Sequence, residues 1–288
     1  MTTENDGKRG AVVITGASTG IGRACALELD RLGFRVFAGV RNDTDGIGLK
    51  DASSGRILPV MLDVTDYGSI SAAAGTVAQA VGDGGIKGLV NNAGIVVGGP
   101  FEFLPLDAIR RQFEVNFFGQ IAVTRAFLPL LRKGHGRIVN MGSISGRVVT
   151  PFVGPYGASK HALEALSDAL RVELLPWGIE VSLIEPGSIA TPIWKKSVSS
   201  AAATAAAYPD KAQELYGDAM RAVQAAALRK GEETIPASRV VQAVVHALTA
   251  ARPKTRYLVG RGAHIQALLK KILPDRLLDR LIMKQLGL

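Results

Sequence analysis

Seven short runs of β-branched and other apolar residues punctuate the chain, with helical patterns between most of them. Ala11–Thr15, Arg35–Val40, Ile57–Leu62, Lys87–Asn91, Arg137–Met141, Glu180–Ile184 and Arg256–Val259 read as strands. Several are continuously apolar rather than alternating, as strands covered on both faces are. Helix-like segments lie near residues 20–32, 66–81, 107–132, 155–176 and 237–250. This βαβα order predicts an α/β chain with a mostly parallel sheet of about seven strands and helices on both faces. The 288 residues are enough for one such core, and 47% hydrophobic with 20% charged residues excludes a disordered chain.

The first strand runs into Thr15-Gly16-Ala17-Ser18-Thr19-Gly20-Ile21-Gly22, and a helix follows. Glycines let the backbone turn tightly and approach a ligand, and the helix start offers free amides and a positive dipole end to a phosphate. The spacing G-x-x-x-G-x-G differs from the commoner dinucleotide fingerprint G-x-G-x-x-G, and a merely tight strand–helix turn is the plain alternative. The fold expected is a single Rossmann-type, doubly wound domain over residues 1–288. The second strand ends in Gly39-Val40-Arg41. An acidic residue there accepts the ribose hydroxyls of NAD, whereas an arginine pairs with the 2′-phosphate of NADP. Arg41 therefore favours NADP(H), while Asp43 nearby leaves NAD(H) open.

Residues 187–236 break the rhythm. They hold no convincing strand, an Ala-rich tract at Ala201–Ala207 and a helical stretch from Asp210 to Lys230. This is too long for an ordinary connection. It follows a strand end, where open α/β sheets bind their ligands, so a substrate lid is expected.

Tyr156-Gly157-Ala158-Ser159-Lys160 places a phenol and an ammonium on one helix face, just after Pro155. A phenol of pKa about 10 is a poor acid near neutrality, but a neighbouring ammonium stabilises the phenolate. The pair can pass a proton to or from a substrate oxygen. Alone, the same spacing is common on solvated helix faces. Asp63 and Val64 follow the third strand, Asn91-Asn92-Ala93-Gly94 the fourth and Ser143 the fifth. Short polar residues at strand ends usually satisfy turn backbone, although these line the sheet edge where a cofactor would lie. Asn116 interrupts an apolar helix and either bonds neighbouring backbone or serves a site.

In this order, T-G-x-x-x-G-I-G, N-N-A-G, the helical asparagine, the serine after strand five and Y-x-x-x-K resemble the classical short-chain dehydrogenase/reductase family. The resemblance runs from Ala11 to Thr191 and includes Pro186-Gly187. Leu62-Asp63-Val64-Thr65 and the run from Trp177 to Gly187 are similar to its retinol, steroid and hydroxybutyrate dehydrogenase branch. The resemblance implies Tyr156 as general acid in reduction and base in oxidation. It implies that Lys160 lowers the Tyr156 pKa and binds the nicotinamide ribose, that Ser143 orients the substrate oxygen, and that Asn116 supports a water-linked relay to Lys160. Cofactor binding would fall to Gly16, Ser18, Thr19, Gly20, Ile21, Gly22, Arg41, Asp63, Val64, Asn92, Ala93, Gly94, Tyr156, Lys160, Pro186, Gly187, Ile189 and Thr191. Among these, Asp63 would contact the adenine, Asn92 the adenosine ribose, and Ile189 and Thr191 the carboxamide. NADP enzymes of the family often carry Lys or Arg where Thr19 stands, so the NADP preference rests on Arg41.

The substrate is expected to be a lipophilic alcohol, ketone or aldehyde, because loops 95–106 and 144–154 carry Val96, Val97, Phe101, Phe103, Val148, Val149, Phe152 and Val153. These residues equally suit packing on the core or on a partner subunit. Arg147 is the candidate clamp for a charged substrate. The rivals are an NAD-dependent hydroxy-acid or sugar-alcohol dehydrogenase, an epimerase or dehydratase on the same fold, and a dinucleotide sensor without turnover.

The net charge of +9 is spread along the chain without the aromatic–basic interleaving of a nucleic-acid platform, so no nucleic acid is expected. The four histidines and Cys25 lack metal-ligand spacing, and Cys25 reads as a buried apolar residue. No apolar run reaches membrane-spanning length and Met1–Gly10 is polar, so a cytoplasmic protein is expected. Residues 263–288 form an amphipathic, basic extension. Ile265, Leu268, Leu269, Ile272 and Leu273, then Leu277, Leu278, Leu281 and Ile282 recur at helical spacing among Lys270, Lys271, Arg276, Arg280 and Lys284. The pattern suits packing on the protein, a subunit contact or a membrane surface. The family resemblance implies a homodimer or homotetramer through helices 107–132 and 155–176.

Overall fold

The computed structural model describes residues 9–189, 208–232 and 235–288. Among these, seven strands form one parallel sheet: β1 (Ala11–Ile14), β2 (Arg35–Val40), β3 (Ile57–Met61), β4 (Gly88–Asn91), β5 (Arg137–Met141), β6 (Glu180–Pro186) and β7 (Arg256–Val259). Their order is β3-β2-β1-β4-β5-β6-β7. The order reverses between β1 and β4, which opens a crevice at the carboxyl ends of those strands.

The helices are α1 (Gly20–Arg31), α2 (Asp43–Asp51), α3 (Tyr67–Val81), α4 (Leu106–Phe113), α5 (Gly119–Gly134), α6 (Gly154–Glu173), α7 (Asp210–Glu232), α8 (Ala237–Thr249), α9 (Arg261–Ile272) and α10 (Asp275–Leu286). The apolar strands bury both faces, and the core is accordingly double. On one face Cys25, Leu29, Val240 and Val244 of α1 and α8 pack on Val12, Ile14 and Val139. On the other, Val77 of α3 and Val123, Phe127 and Leu131 of α5 pack on Val13, Leu89 and Ile138. Cys25 is an inert part of this core, for burial pushes its thiol up to about 12.

Helix α2 has no counterpart in the periodic pattern. Asn42 caps it, its side chain accepting from Asp45 N at 2.9 Å, and Leu49 is the large apolar side chain it buries. The long helix expected over 107–132 is two helices joined by a π-helical turn at Glu114–Phe118. The Ala201–Ala207 tract lies outside the described residues. The two ends of the 187–236 insertion meet in a parallel bridge between Ile189 and Ile235, and Ile235 N donates to Ser188 O at 3.2 Å. Among the described residues, no helix is long and apolar enough to cross a membrane.

Candidate active site

The loops at the β1 and β4 ends are stitched together. The Thr15 hydroxyl accepts from Asn92 N at 2.9 Å and Ala93 N at 3.0 Å. The Asn92 Nδ2 donates back to the carbonyls of Thr15 and Gly16 at 2.9 and 3.0 Å. Asn92, assigned by resemblance to the adenosine ribose, thus uses its amide nitrogen to hold the glycine turn. Gly16 and Gly20 take φ of 63° and 58°, the left-handed region that favours glycine. A Cβ on Gly22 would run into the Gly16 carbonyl and the Asn92 amide, so α1 approaches the turn only with glycine there. Helix α1 begins behind Thr19 with no side-chain cap and no acidic residue in its first turn. Its free amides are therefore left to an anion, which fits the phosphates of a dinucleotide. Ser18 and Ile21 flank this cradle half-buried, and Gly94 closes it over the Asn116 Oδ1 and Lys160 Nζ.

Arg41 stands exposed at the end of β2, and Asp63 follows β3. Burial would raise the Asp63 carboxyl. Hydrogen bonds from Thr65 N at 2.9 Å and Thr65 Oγ1 at 2.7 Å, with the charges of Arg41 and Arg111, bring it below its ordinary value instead. Arg111, on α4, was not among the sequence candidates. It adds a second cation to the end of the crevice where Arg41 stands. Val64, beside Asp63, is buried against Gly119.

Three amides hold the chain that leaves β4. Gln112 Oε1 accepts from Val97 N at 2.5 Å. Asn116 Oδ1 accepts from Ile95 N at 2.8 Å and its Nδ2 donates to Ile95 O at 2.9 Å. Gln120 Nε2 donates to Ala93 O at 3.3 Å. The three are buried at successive intervals of four residues, so one helical face carries them past the loop. Sequence reasoning found Asn116 and missed Gln112 and Gln120, although the spacing of amides along an apolar helix was the available signal. Asn116 Nδ2 also donates to Ser159 Oγ at 3.1 Å, and Ser159 Oγ to Tyr156 O at 2.8 Å. The π-turn is thereby fixed to the start of α6.

Tyr156 lies in the first turn of α6, half-buried. Burial pushes its phenol up, and the Ser143 side chain beside it acts in the opposite sense. Ser143 heads a 3₁₀ turn after β5 and accepts from Ser145 N at 3.1 Å. Lys160 is buried one turn below Tyr156, its Nζ 6.0 Å from the Tyr156 ring centre and donating to Met141 O at 2.7 Å. Burial pushes this ammonium down to about 8. In this arrangement Lys160 bonds the strand carbonyl rather than the phenol. Pro186 ends β6 buried, Gly187 N donates to Val259 O at 3.0 Å, and Ile189 is buried. Thr191 lies outside the described residues.

Loops 95–106 and 144–154 meet through Gly98, Gly99 and Phe152. Gly99 N donates to Phe152 O at 2.8 Å, and Phe152 holds a left-handed φ of 68°. Such a conformation in a non-glycine residue costs about 1–3 kcal/mol and is held by its surroundings. Phe152 packs edge-on against Tyr216 at 6.2 Å, and Phe103 lies 5.9 Å from Tyr216 and 6.1 Å from Tyr208. Helix α7 therefore closes over both loops through aromatic contacts. The other expected apolar residues divide, since Val148 is buried while Phe101 is 78% exposed. Arg147 corrects the expectation of a carboxylate clamp: its guanidinium is committed to Glu185.

Residues 10–202 match the family model described as short chain dehydrogenase. The chain is 38% identical to retinol dehydrogenase 5 of Mus musculus over 277 residues, covering 94% of this chain and 87% of that protein. It is 34% identical to the NADPH-dependent 3-dehydrocapnine reductase of Ornithobacterium rhinotracheale, covering 95% and 96%. A short chain dehydrogenase/reductase from Burkholderia phymatum, solved with NAD, superposes with a TM-score of 0.74 at 26% identity, covering 93% and 94% of the two chains. The crevice with its uncapped α1, the Ser143–Tyr156–Lys160 grouping and these likenesses agree: the chain belongs to the short-chain dehydrogenase family, in the branch that holds retinol and steroid dehydrogenases, and is an oxidoreductase of the nicotinamide dinucleotides.

Proposed function

We propose that this protein is an NADP(H)-preferring oxidoreductase that interconverts a lipophilic alcohol with its ketone or aldehyde. The observation that carries the reading is the placing of the Ser143 side chain beside Tyr156, with the buried Lys160 ammonium 6.0 Å from the Tyr156 ring centre. The cofactor would lie with its phosphates on the glycine turn and α1, its adenosine between Arg41 and Asp63, and its nicotinamide between Gly94 and Pro186-Gly187-Ile189. The bound dinucleotide supplies or accepts the hydride.

The chain's own residues do the rest. The Ser143 hydroxyl hydrogen-bonds the substrate oxygen and orients it toward Tyr156. In reduction the Tyr156 hydroxyl gives its proton to that oxygen, and in oxidation the phenolate takes it back. The Lys160 charge below the ring stabilises the phenolate, against the desolvation that otherwise keeps the phenol protonated. Asn116 fixes the loop after β4 and the start of α6 at the separation this exchange requires, next to the Lys160 ammonium.

Arg41 and Arg111 around Asp63 favour the 2′-phosphate of NADP(H). The relative named as NADPH-dependent is consistent with that choice. The aromatic contacts of Phe103, Phe152, Tyr208 and Tyr216 favour a lipophilic substrate under residues 187–236 acting as a lid, and the retinol and steroid relatives point the same way. Steady consumption of NADPH with a panel of retinoid aldehydes, steroid ketones and short keto acids tests the reading. Turnover of the lipophilic members is expected; turnover confined to keto acids with NADH would replace it with a hydroxy-acid dehydrogenase.

Two assembly properties belong to the same reading. Helices α9 and α10 expose Ile265, Leu268, Ile272, Leu277 and Leu281 beside Lys270, Lys271, Arg276 and Arg280, while Leu278 and Leu286 face inward. Apolar side chains flanked by cations suit peripheral contact with an anionic membrane surface. Exposed Phe118, Val172, Leu175 and Trp177 on or just after the α4–α6 elements suit a homodimer or homotetramer.

A further inference from the structure

A cluster of charges lies beneath the Ser143 turn, outside the groups assigned to hydride and proton transfer. Arg147 follows Ser143 by four residues and sets its guanidinium fork on Glu185, the residue before Pro186. Its Nη2 donates to Glu185 Oε2 at 2.7 Å and its Nε to Oε1. Glu185 is wholly buried. Glu164 stands one helical turn beyond Lys160 on α6 and is 7% exposed. Its Oε2 accepts from Arg256 Nε and Nη2, both at 3.2 Å. Its Oε1 is buried without a hydrogen-bond partner and lies 3.8 Å from Arg147 Nε.

The same groups bring three elements together. A Cβ on Gly146 would sit 3.2 Å from the Lys160 carbonyl and 3.3 Å from Glu164 Oε1, so the turn lies directly on α6. The Gly146 carbonyl also faces His161 Nδ1 at 2.8 Å. Through Arg147 the turn is tied to the end of β6. The turn carries Ser143, α6 carries Tyr156 and Lys160, and β6 ends at Pro186 and leads into Gly187.

We propose that Arg147, Glu164 and Glu185 form a positioning clamp, with one proton shared between the two carboxyls, that holds the Ser143 turn in register with Tyr156. A buried ion pair is weak evidence of stability, because apolar residues of similar volume often replace it without loss. What the fork adds is fixed geometry between elements. The placing of the cations, not their number, explains the shared proton, for three guanidiniums face three carboxyls. Arg147 is the one guanidinium set between Glu164 and Glu185 among the described contacts, while Arg256 is divided between Glu164 and Asp168, and Asp168 also takes Arg171. The other ionisable groups around the clamp are Lys160 and His161 on α6, and Arg261 and His264 on α9, which packs against the turn. Burial and the facing Glu164 raise the Glu185 carboxyl to about 7, with Arg147 opposing. Loss of the shared proton sets two carboxylates against each other and frees the turn.

The clamp rests on the oxidoreductase reading for its consequence but not for its proton, and the test separates the two. In wild type, kcat should fall about tenfold through an apparent pKa near 7, a cost typical of small misplacements of reacting groups. The substitution Glu164→Gln should keep the rate at low pH and abolish that step, leaving the affinity for NADP(H) unchanged. Arg147→Lys keeps the charge but loses the fork, and should lower kcat about tenfold at every pH with unchanged NADP(H) affinity. Thermal unfolding reads the proton without turnover. The folded pair binds it more tightly than the unfolded chain, so its stabilising contribution is full below the ordinary carboxyl value and lost as pH rises through about 7. The wild-type Tm should therefore drop by several degrees relative to Glu164→Gln across that window. A Glu164→Gln protein whose kcat profile and Tm follow wild type at every pH overturns the clamp. If wild type reduces no carbonyl compound at all, the oxidoreductase reading falls, and the two unfolding curves still decide whether the carboxyls share a proton.

Discussion

The Lys160 ammonium donates to the carbonyl of Met141 at 2.7 Å, which ties the helix bearing Tyr156 to the last residue of β5. The cation is buried, and this position sets a cost that pH can reveal. Burial brings Lys160 down to about 8, below its unfolded value. The folded state therefore binds its proton less tightly than the unfolded chain, and stability is lost as pH falls toward about 8. Compared with Lys160→Met, wild type should gain up to about 3 kcal/mol between about pH 8 and 10.5. Denaturant unfolding of both proteins across that window measures it, and parallel stability curves would contradict the burial argument.

Arg41 and Arg111 stand close enough to Asp63 to help lower its carboxyl. If this end of the crevice takes the 2′-phosphate, Arg41→Ala should weaken NADP(H) about 10–100-fold, the scale of one charge-assisted contact, and leave NAD(H) nearly unchanged. Fluorescence titration with both reduced cofactors distinguishes the outcomes. Equal losses for the two would assign Arg41 to general electrostatics.

Asn116 makes both bonds to the Ile95 backbone from a buried position. The substitution Asn116→Ala leaves an amide and a carbonyl without partners and should cost about 2–4 kcal/mol in stability. Chemical denaturation measures this. A loss below about 0.5 kcal/mol, the range of an ordinary surface change, would mean that the loop does not depend on the π-turn.

The apolar row on α9 and α10 carries a prediction outside the crevice. Liposomes containing anionic lipid should co-sediment the full chain, with binding that weakens as salt rises. Replacing Leu268, Ile272 and Leu281 with serine should remove binding and leave turnover of a soluble substrate intact. Equal sedimentation of both proteins would assign the row to subunit contact instead.

Much of the fold was legible because a strand covered on both faces must be apolar along its whole length. All seven strands lie within two residues of their expected bounds. Helix α2 was not legible. It contains Gly46 and Gly48, exposes Ile47 and buries only Leu49 among its large side chains, so no helical period appears. Its cap, Asn42, stands where sequence reasoning considered only the cofactor. The π-turn left no periodic sign either, since its extra residue simply blends α4 into α5. The crevice residues were recognisable through their motifs at fixed places along the chain. Gln112, Gln120 and Arg111 belong to the same region, but their meaning depends on which loop the helix passes. The pairing of Arg147 with Glu185 spans 38 residues of sequence and is a property of the folded sheet alone.

Tyr156 and Ser143 lie side by side in the crevice, where the phenol is the group proposed to exchange a proton with the substrate oxygen. The direct measurement is steady-state turnover of a lipophilic ketone or aldehyde by wild type and by Tyr156→Phe, with the NADPH dissociation constant measured on each. Removing a positioned general acid should lower kcat about 10²–10⁴-fold while NADPH binding stays within about twofold of wild type. Near-normal turnover by Tyr156→Phe would contradict the central claim, since the substrate oxygen would then receive its proton from another group.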